Sequence, residues 1–218
     1  MTRPRILIAD DHKIVVAGLK RLLDSDFDIA GIVADGRELV SAANKLLPDV
    51  IIADISMPML NGIEAVRQIK KSHEEIKVVF LTMHPDVAYA FNAFKAGASG
   101  YVLKHSAPDE LVTAIKEALS GRTYVTPLIA GKLLQAYGDE VTHRPSVLDN
   151  FTPRQREVLQ LLAEGHSVKK IATILNISIK TVEYHKYRMM EDLGIHSVDE
   201  LVRYAVQHGL PVPDPPLG

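Results

Sequence analysis

Five residues in the first half of the chain have side chains that together could bind a divalent cation and a phosphoryl group. Each follows closely after a short apolar run, and they are Asp10, Asp11, Asp54, Thr82 and Lys104. Carboxylates are hard oxygen ligands that suit Mg²⁺, whereas three of them close together without a cation would repel one another. A hydroxyl and an ammonium beside them could hold a phosphoryl group, and one carboxylate could be the nucleophile that forms an aspartyl phosphate.

The apolar runs before these residues predict buried β-strands. Four of them are apolar almost throughout instead of alternating, which is typical of strands covered on both faces of a parallel sheet. These runs are 5–9, 49–53, 77–81 and 100–103, with a weaker one at 27–33. Between them, apolar residues recur at helical spacing, as at Val15, Leu19 and Leu22. Residues 1–121 therefore predict an α/β domain of five βα units, with a doubly wound parallel sheet.

The five polar residues share one edge of this predicted sheet. In an open α/β sheet, ligands bind beyond the carboxyl ends of the strands, and all five residues lie there. Acids in this position can also be helix N-caps, and Lys104 alone could be an ordinary surface residue. Their shared edge favours a common site, because the alternative requires each of the five residues to lie there for a separate structural reason.

Residues 4–121 resemble a response-regulator receiver domain. The matching motifs are Asp10-Asp11, Asp54 to Pro58, Asn61-Gly62, Thr82 and Gly100 to Lys104. The resemblance implies that a sensor histidine kinase transfers a phosphoryl group to Asp54. It also implies a Mg²⁺ cofactor bound by Asp10, Asp11, Asp54 and the backbone carbonyl of Ser56.

The same resemblance implies roles for five side chains. Thr82 and Lys104 would contact the phosphoryl group, and Tyr101 would be the switch aromatic, although a Tyr in a strand is also a common core residue. Ser56 and His84 stand two residues after the acceptor and two after Thr82, and would tune the rate of dephosphorylation. By this interpretation the chain is not an enzyme, beyond promoting its own phosphorylation and dephosphorylation.

Residues 151–210 predict a small all-α domain that contains a helix-turn-helix. Thr152, Pro153 and Gln155 form a capping-box pattern with Pro at the first helical position. A short helix over 168–175, a three-residue turn and a longer helix to Leu193 follow. The expected layout is a receiver at 1–121, a linker at 122–150 with a short helix near 128–135, the helix-turn-helix domain at 151–210 and a flexible tail at 211–218.

This second domain resembles the LuxR-type (NarL/FixJ) output domain. The matching blocks are Phe151 to Leu159, Leu162 to Gly165, Lys170 to Ala172, Leu175 to Ser178, Lys180 to His185 and Leu193-Gly194. The resemblance places Glu183, Tyr184 and Tyr187 at base-reading positions, with Glu183 able to accept from a cytosine amino group. The other expected DNA contacts, most of them cations facing phosphates, are Lys169, Lys180, Thr181, Lys186 and Arg188.

A last helix, predicted from Ser197 to Gln207, carries an apolar strip of Leu201, Val202 and Ala205. We expect this strip to pair with a second copy of the chain, so that a homodimer binds promoter half-sites arranged as an inverted repeat. The combined prediction is a transcription regulator in which phosphorylation of Asp54 switches dimerisation and promoter binding.

Composition narrows the alternatives. The chain has 218 residues, no cysteine and a net charge of −2, and no apolar run approaches the roughly 18 residues that span a membrane. These features exclude a disulfide framework or a zinc finger, make membrane association unexpected and favour the cytoplasm. Because residues 151–218 hold eight basic and eight acidic residues, any DNA contact requires a local basic patch.

Two other functions remain open at this point. A phosphorylation-gated protein-interaction module is compatible with the neutral second domain and with Asp192, which stands where the family commonly has a basic residue. A phosphatase that uses Asp54 as its nucleophile is less favoured, because Ser56 stands where a second catalytic acid would be needed.

Overall fold

The computed structural model describes residues 3–106, 108–138 and 150–211. They form two compact units, the first within residues 3–138 and the second within residues 150–211. Among these residues, no helix has the length and apolarity that crossing a bilayer requires.

The first unit is a six-stranded parallel sheet with helices on both faces. The strands are β1 Arg5–Ala9, β2 Asp28–Val33, β3 Val50–Ala53, β4 Lys77–Thr82, β5 Gly100–Leu103 and β6 Tyr124–Val125. The helices are α1 Lys13–Leu23, α2 Gly36–Leu46, α3 Gly62–Lys70, α4 Val87–Lys95, α5 Pro108–Leu119 and α6 Pro127–Gly138. The strand order is β2-β1-β3-β4-β5-β6, so the chain changes direction across the sheet between β1 and β3. Ligands bind at such a switch point in open α/β sheets.

Both faces of the sheet are covered, which explains why its strands are apolar without alternation. Leu7 and Ile51 pack on one face against α2, α3 and α4. Ile6 and Ile52, their neighbours in sequence, pack on the other face against α1 and α5. The predicted doubly wound α/β architecture is therefore confirmed.

Residues 122–138, which the sequence predicts as part of the linker, continue this fold as a sixth βα unit. Tyr124 and Val125 of β6 pair in parallel with Gly100 and Tyr101 of β5. The predicted short helix near 128–135 corresponds to α6, whose Ile129 is fully buried in the core beside α4. A two-residue strand is too short to show a periodic pattern, so β6 was not predicted. The rest of the predicted linker, 139–149, lies outside the described residues.

The second unit contains four α-helices, as predicted. They are α7 Pro153–Ala163, α8 Val168–Leu175, α9 Ile179–Leu193 and α10 Val198–Gln207. Thr152 and Gln155 form the expected capping box, and the Ser178 side chain caps α9. Asn176 has φ 51°, the left-handed conformation that the tight turn between α8 and α9 needs. The predicted tail lies, except for Pro211, outside the described residues.

The expected dimer strip on α10 needs correction. Leu201 is 0% exposed and Ala205 is 1% exposed, so both belong to the core of this unit. The sequence pattern showed an apolar strip, but it could not distinguish a strip that covers the domain's own core from one that a second copy covers. Val202 is only partly buried, and Val206, one turn later, is 43% exposed.

Candidate functional site

Backbone pairing places the acidic residues that follow β1 and β3 side by side. The N–H of Asp54 donates to the carbonyl of Ala9, at 2.8 Å, so the ends of β1 and β3 lie next to each other. The N–H of Lys104 donates to the carbonyl of Thr82 at the same distance. A glycine is required at position 62, because a Cβ there would lie 2.0 Å from the carbonyl oxygen of Asp54.

The centre of the site is a buried lysine between two buried carboxylates. Lys104 Nζ lies 2.6 Å from Asp54 Oδ2 and 2.8 Å from Asp10 Oδ2, and each aspartate is 4% exposed. Burial opposes the charge of the lysine, but Asp54 and Asp10 outweigh it, and together they raise the pKa of Lys104. The N–H of Ile55 donates to Asp54 Oδ1 at 2.6 Å and fixes the orientation of that carboxylate. The site therefore holds two carboxylates and an ammonium in direct contact.

Asp11 and His12 complete the acidic pocket. Burial raises the pKa of Asp11, and the nearby charges of Asp10 and Asp54 add to this effect while His12 opposes it. Asp11 Oδ1 is buried without a hydrogen bond, although His12 Nδ1 lies 3.0 Å away. One ligand atom from each of Asp10, Asp11, His12 and Asp54 lies within 4.8 Å of the others. Clustered carboxylates with one unsatisfied oxygen have the chemistry of a Mg²⁺ site.

Thr82, Ser56 and Tyr101 meet around His84, beside the acidic pocket. The Thr82 hydroxyl is fully buried and accepts a hydrogen bond from the N–H of His84, at 3.3 Å. Ser56 Oγ and His84 Nε2 are 2.6 Å apart, and the His84 ring stacks on Tyr89 with 4.2 Å between ring centroids. The sequence indicates Ser56 and His84 separately and does not predict the hydrogen bond between them.

Tyr101 is both a core residue and a polar contact. Its side chain is fully buried, and its hydroxyl donates to the carbonyl of His84 at 2.8 Å. Burial strongly raises the pKa of Tyr101, so the hydroxyl stays protonated and keeps donating. The two interpretations of Tyr101 in the sequence are therefore compatible.

In the second unit, α9 packs one face on α7 and α8 and leaves the other exposed. Val182 and Met189 are fully buried, whereas Tyr184 and Tyr187 are 65% and 61% exposed. Lys180 is exposed on the same side as the tyrosines. This helix therefore has an apolar face towards its own domain and an aromatic face towards solvent.

Two of the predicted phosphate contacts are paired with acids of the same helix. Lys186 forms an ion pair with Glu183. Arg188 lies 2.9 Å from Glu191 and 3.4 Å from Asp192. Lys169 and Lys180 are exposed and, among the described residues, have no ion pair. Much of the basic charge of α9 is therefore balanced within the helix.

Comparison with known families identifies both units. Residues 6–116 match the family "Response regulator receiver domain", and residues 149–205 match the family "Bacterial regulatory proteins, luxR family". The chain belongs to the two-component response regulators of the NarL/FixJ type. Neither match includes β6 or α6 of this response regulator, so its sixth βα unit lies between the two matched regions.

Several known proteins match this chain over nearly its whole length. The response regulator is 37% identical to oxygen regulatory protein NreC of Staphylococcus epidermidis strain ATCC 12228, covering 94% of this chain and 98% of that protein. It is 34% identical to response regulator UvrY of Escherichia coli K12, covering 94% of each. The Salmonella typhimurium RcsB response regulator superposes with a TM-score of 0.65 at 30% identity, covering 95% and 99%. A structure of an RcsB–DNA complex gives a TM-score of 0.58 at 30% identity, covering 94% and 98%.

Proposed function

We propose that a histidine kinase phosphorylates Asp54 of this response regulator and thereby controls its binding to promoter DNA. The observation that carries the proposal is the contact of Lys104 with Asp54 and Asp10 at the switch point of the sheet. It places a buried carboxylate beside a cation in a chain that also carries a helix-turn-helix. The proposed compartment is the cytoplasm, where kinase and promoter are both accessible.

This geometry supports phosphoryl transfer to Asp54. The phosphorus–nitrogen bond of the kinase phosphohistidine breaks as a bond forms between phosphorus and an Asp54 carboxylate oxygen. The released histidine takes a proton from solvent. The N–H of Ile55 holds the Asp54 carboxylate in place, and Lys104 and the Thr82 hydroxyl are available to the phosphoryl oxygens. Phosphoryl transfer to Asp54 and hydrolysis of the resulting aspartyl phosphate are the only reactions we assign to the chain.

We assign Mg²⁺ to the acidic pocket, held by Asp10, Asp11, Asp54 and the backbone carbonyl of Ser56. When bound, the ion would neutralise charge on the carboxylates and on the incoming phosphoryl group. The unsatisfied Asp11 oxygen supports this assignment, since a buried acceptor without a hydrogen bond is otherwise costly.

The switch that we propose runs through His84. A phosphoryl group that draws the Thr82 hydroxyl towards it would compete with the hydrogen bond from the His84 N–H. Tyr101 holds the carbonyl of the same residue, so its hydroxyl would follow any movement of His84. Ser56 and His84 flank the path of the attacking water and tune the lifetime of the phosphoryl group.

For DNA recognition, we propose that α9 enters the major groove of the promoter. Glu183, Tyr184 and Tyr187 would read base edges. Phosphate contacts would come from Lys169, Lys180, Thr181 and Arg188. A homodimer would place two such helices on an inverted repeat, and its contact on α10 would use the partly exposed Val202 and Val206 instead of the buried Leu201 and Ala205.

The pairing of Arg188 with Glu191 and Asp192 also favours the rival function, a phosphorylation-gated protein-interaction module. A selection of DNA fragments by the full chain, with and without acetyl phosphate, separates the two. Enrichment of an inverted repeat that strengthens with acetyl phosphate and is lost in Asp54→Asn supports the regulator. Absence of enrichment in both conditions supports the interaction module.

A further inference from the structure

Lys186 differs from the other cations of α9 because most of its side chain is covered. Only 12% of it is exposed, whereas 52% of the Arg188 side chain is exposed. Positions three and four residues away on a helix share a face. On that face Lys186 has Val182, Met189 and Met190 as neighbours, all buried. Its aliphatic stem therefore lies along the edge of the core, as long charged side chains often do.

The ammonium at the end of this stem faces two of the proposed base readers. It forms the ion pair with Glu183, and it lies 4.7 Å from the ring centroid of Tyr187. The Glu183 oxygen in the ion pair, Oε2, is buried and has no hydrogen bond, so the charge of Lys186 is what compensates it. A cation at this distance over an aromatic ring is attracted to it.

We infer that Lys186 positions the reading surface of α9 and does not contact a phosphate, an inference that rests on the proposed DNA-binding function. An ammonium already neutralised by Glu183 contributes little to the counterion release that drives phosphate binding. By holding Oε2 of Glu183, it leaves Oε1 to accept from a base amino group, and it restrains the Tyr187 ring at the same time. Restraint before binding lowers the entropy lost on binding.

This inference changes the role that the sequence assigned to Lys186. It predicts that the residue affects which sequence is bound, through Glu183 and Tyr187, and not how strongly any duplex is bound. Lys180 provides the matched control, because it lies on the same helix, is exposed and has no ion pair within the described part of the chain.

The test measures binding of the full, acetyl-phosphate-treated chain to the selected operator and to a random duplex across a range of KCl concentrations. The variants are Lys186→Met, which keeps the apolar stem, Lys186→Arg, which keeps the charge, Glu183→Gln, the Lys186→Met/Glu183→Gln double variant and Lys180→Met. Lys186→Met should lower the operator-to-random ratio about tenfold, within the range for loss of one base contact, and leave the salt slope unchanged. Lys180→Met should weaken binding to both duplexes and reduce the slope by about 0.9.

Two results would add support that a purely structural effect would not produce. The double variant should lose less discrimination than the two single losses combined, because the Lys186–Glu183 contact can be lost only once. Lys186→Arg should restore most of the discrimination, and melting temperature shows whether each variant is folded.

The inference is overturned if Lys186→Met is folded and its salt slope falls by about one unit while its operator-to-random ratio stays the same. It is equally overturned if neither the salt slope nor the ratio changes. It is also overturned if the losses in Lys186→Met and Glu183→Gln are additive in the double variant. Should Lys186→Met alone fold poorly, the double variant is compared with Glu183→Gln instead. A further loss of discrimination of about tenfold would then show that Lys186 acts independently of Glu183, and would overturn the inference. If the parent chain itself fails to distinguish the duplexes, the proposed function fails, and the inference fails with it.

Discussion

At the scale of single residues, the acceptor assignment depends on Asp54 alone being the nucleophile. Asp54→Asn keeps the size of the side chain and its contact with the Ile55 N–H, but removes the charge and the nucleophilicity. We expect an intact fold and no phosphoryl label from acetyl phosphate. Asp109→Asn, at an exposed position in the first turn of α5, should label like the parent. Mass spectrometry of the intact protein checks this, and stable label on Asp54→Asn would refute the assignment.

Asp11 allows a test of the acidic pocket by pH. Its pKa is raised above the ordinary value of 3.8, chiefly by burial, so the ionised carboxylate destabilises the folded state at neutral pH. Asp11→Asn should therefore raise the free energy of unfolding at pH 7. The gain should shrink as the pH falls through the raised pKa and vanish below 3.8, where the parent residue is neutral in both states.

Magnesium provides the complementary measurement on the same residue. Mg²⁺ should raise the melting temperature of the parent at pH 7, because a ligand that binds only the folded state stabilises it. Asp11→Ala should lose most of this rise. If Mg²⁺ does not change the melting temperature of the parent, the metal assignment is contradicted, whatever the pH dependence of Asp11→Asn.

The hydrogen bond between Ser56 and His84 makes a further residue-scale prediction. Removing either side chain opens the same path for water, so Ser56→Ala and His84→Ala should each speed dephosphorylation severalfold. The double variant should dephosphorylate little faster than the faster of the two single variants, because each single substitution already removes the same contact. Decay of purified phosphoprotein, followed over time, measures this. Additive effects would show that the two residues act independently.

At the level of elements, two positions on α10 allow a core residue to be distinguished from a residue of the proposed dimer interface. Leu201→Asp buries a charge in the core and should destabilise the second unit by about 3–5 kcal/mol, a typical cost for a buried unpaired charge. Val206→Asp changes a residue that is 43% exposed, and should leave stability unchanged while reducing cooperative binding to paired half-sites. Unfolding by urea and binding to one or two half-sites distinguish them. Normal cooperativity in Val206→Asp would place the dimer contact elsewhere.

Elements were predictable where the deciding forces are local. The Thr152 capping box and the apolar strands are set by neighbouring residues, and the structure confirms them. The five polar residues at strand ends were also predictable, because sheet topology alone brings them together. The covered side chain of Lys186 and the burial of Leu201 were not, since both depend on which surface of a helix the rest of its domain covers.

At the scale of the whole molecule, the sixth βα unit enlarges the receiver. Ile129 on α6 is fully buried, and Ile129→Ala should destabilise the first unit by about 2–5 kcal/mol. Leu134→Ala on the same helix is the control, because Leu134 is 76% exposed and its loss should cost almost nothing. Hydrogen exchange of the full chain should show faster opening of the first unit only, and equal effects of both variants would mean that α6 is not part of its core.

The contact of α6 with the loop before α4 also bears on how such regulators are recombined. The Lys132 ammonium donates to the carbonyl of Pro85, next to His84, so the helix that follows the sheet contacts the segment beside the proposed phosphorylation site. A chimera joined at residue 121 would discard β6 and α6 and expose the edge of β5. Grafting this receiver onto a foreign output domain should therefore place the junction after Gly138, where the sixth unit is kept whole.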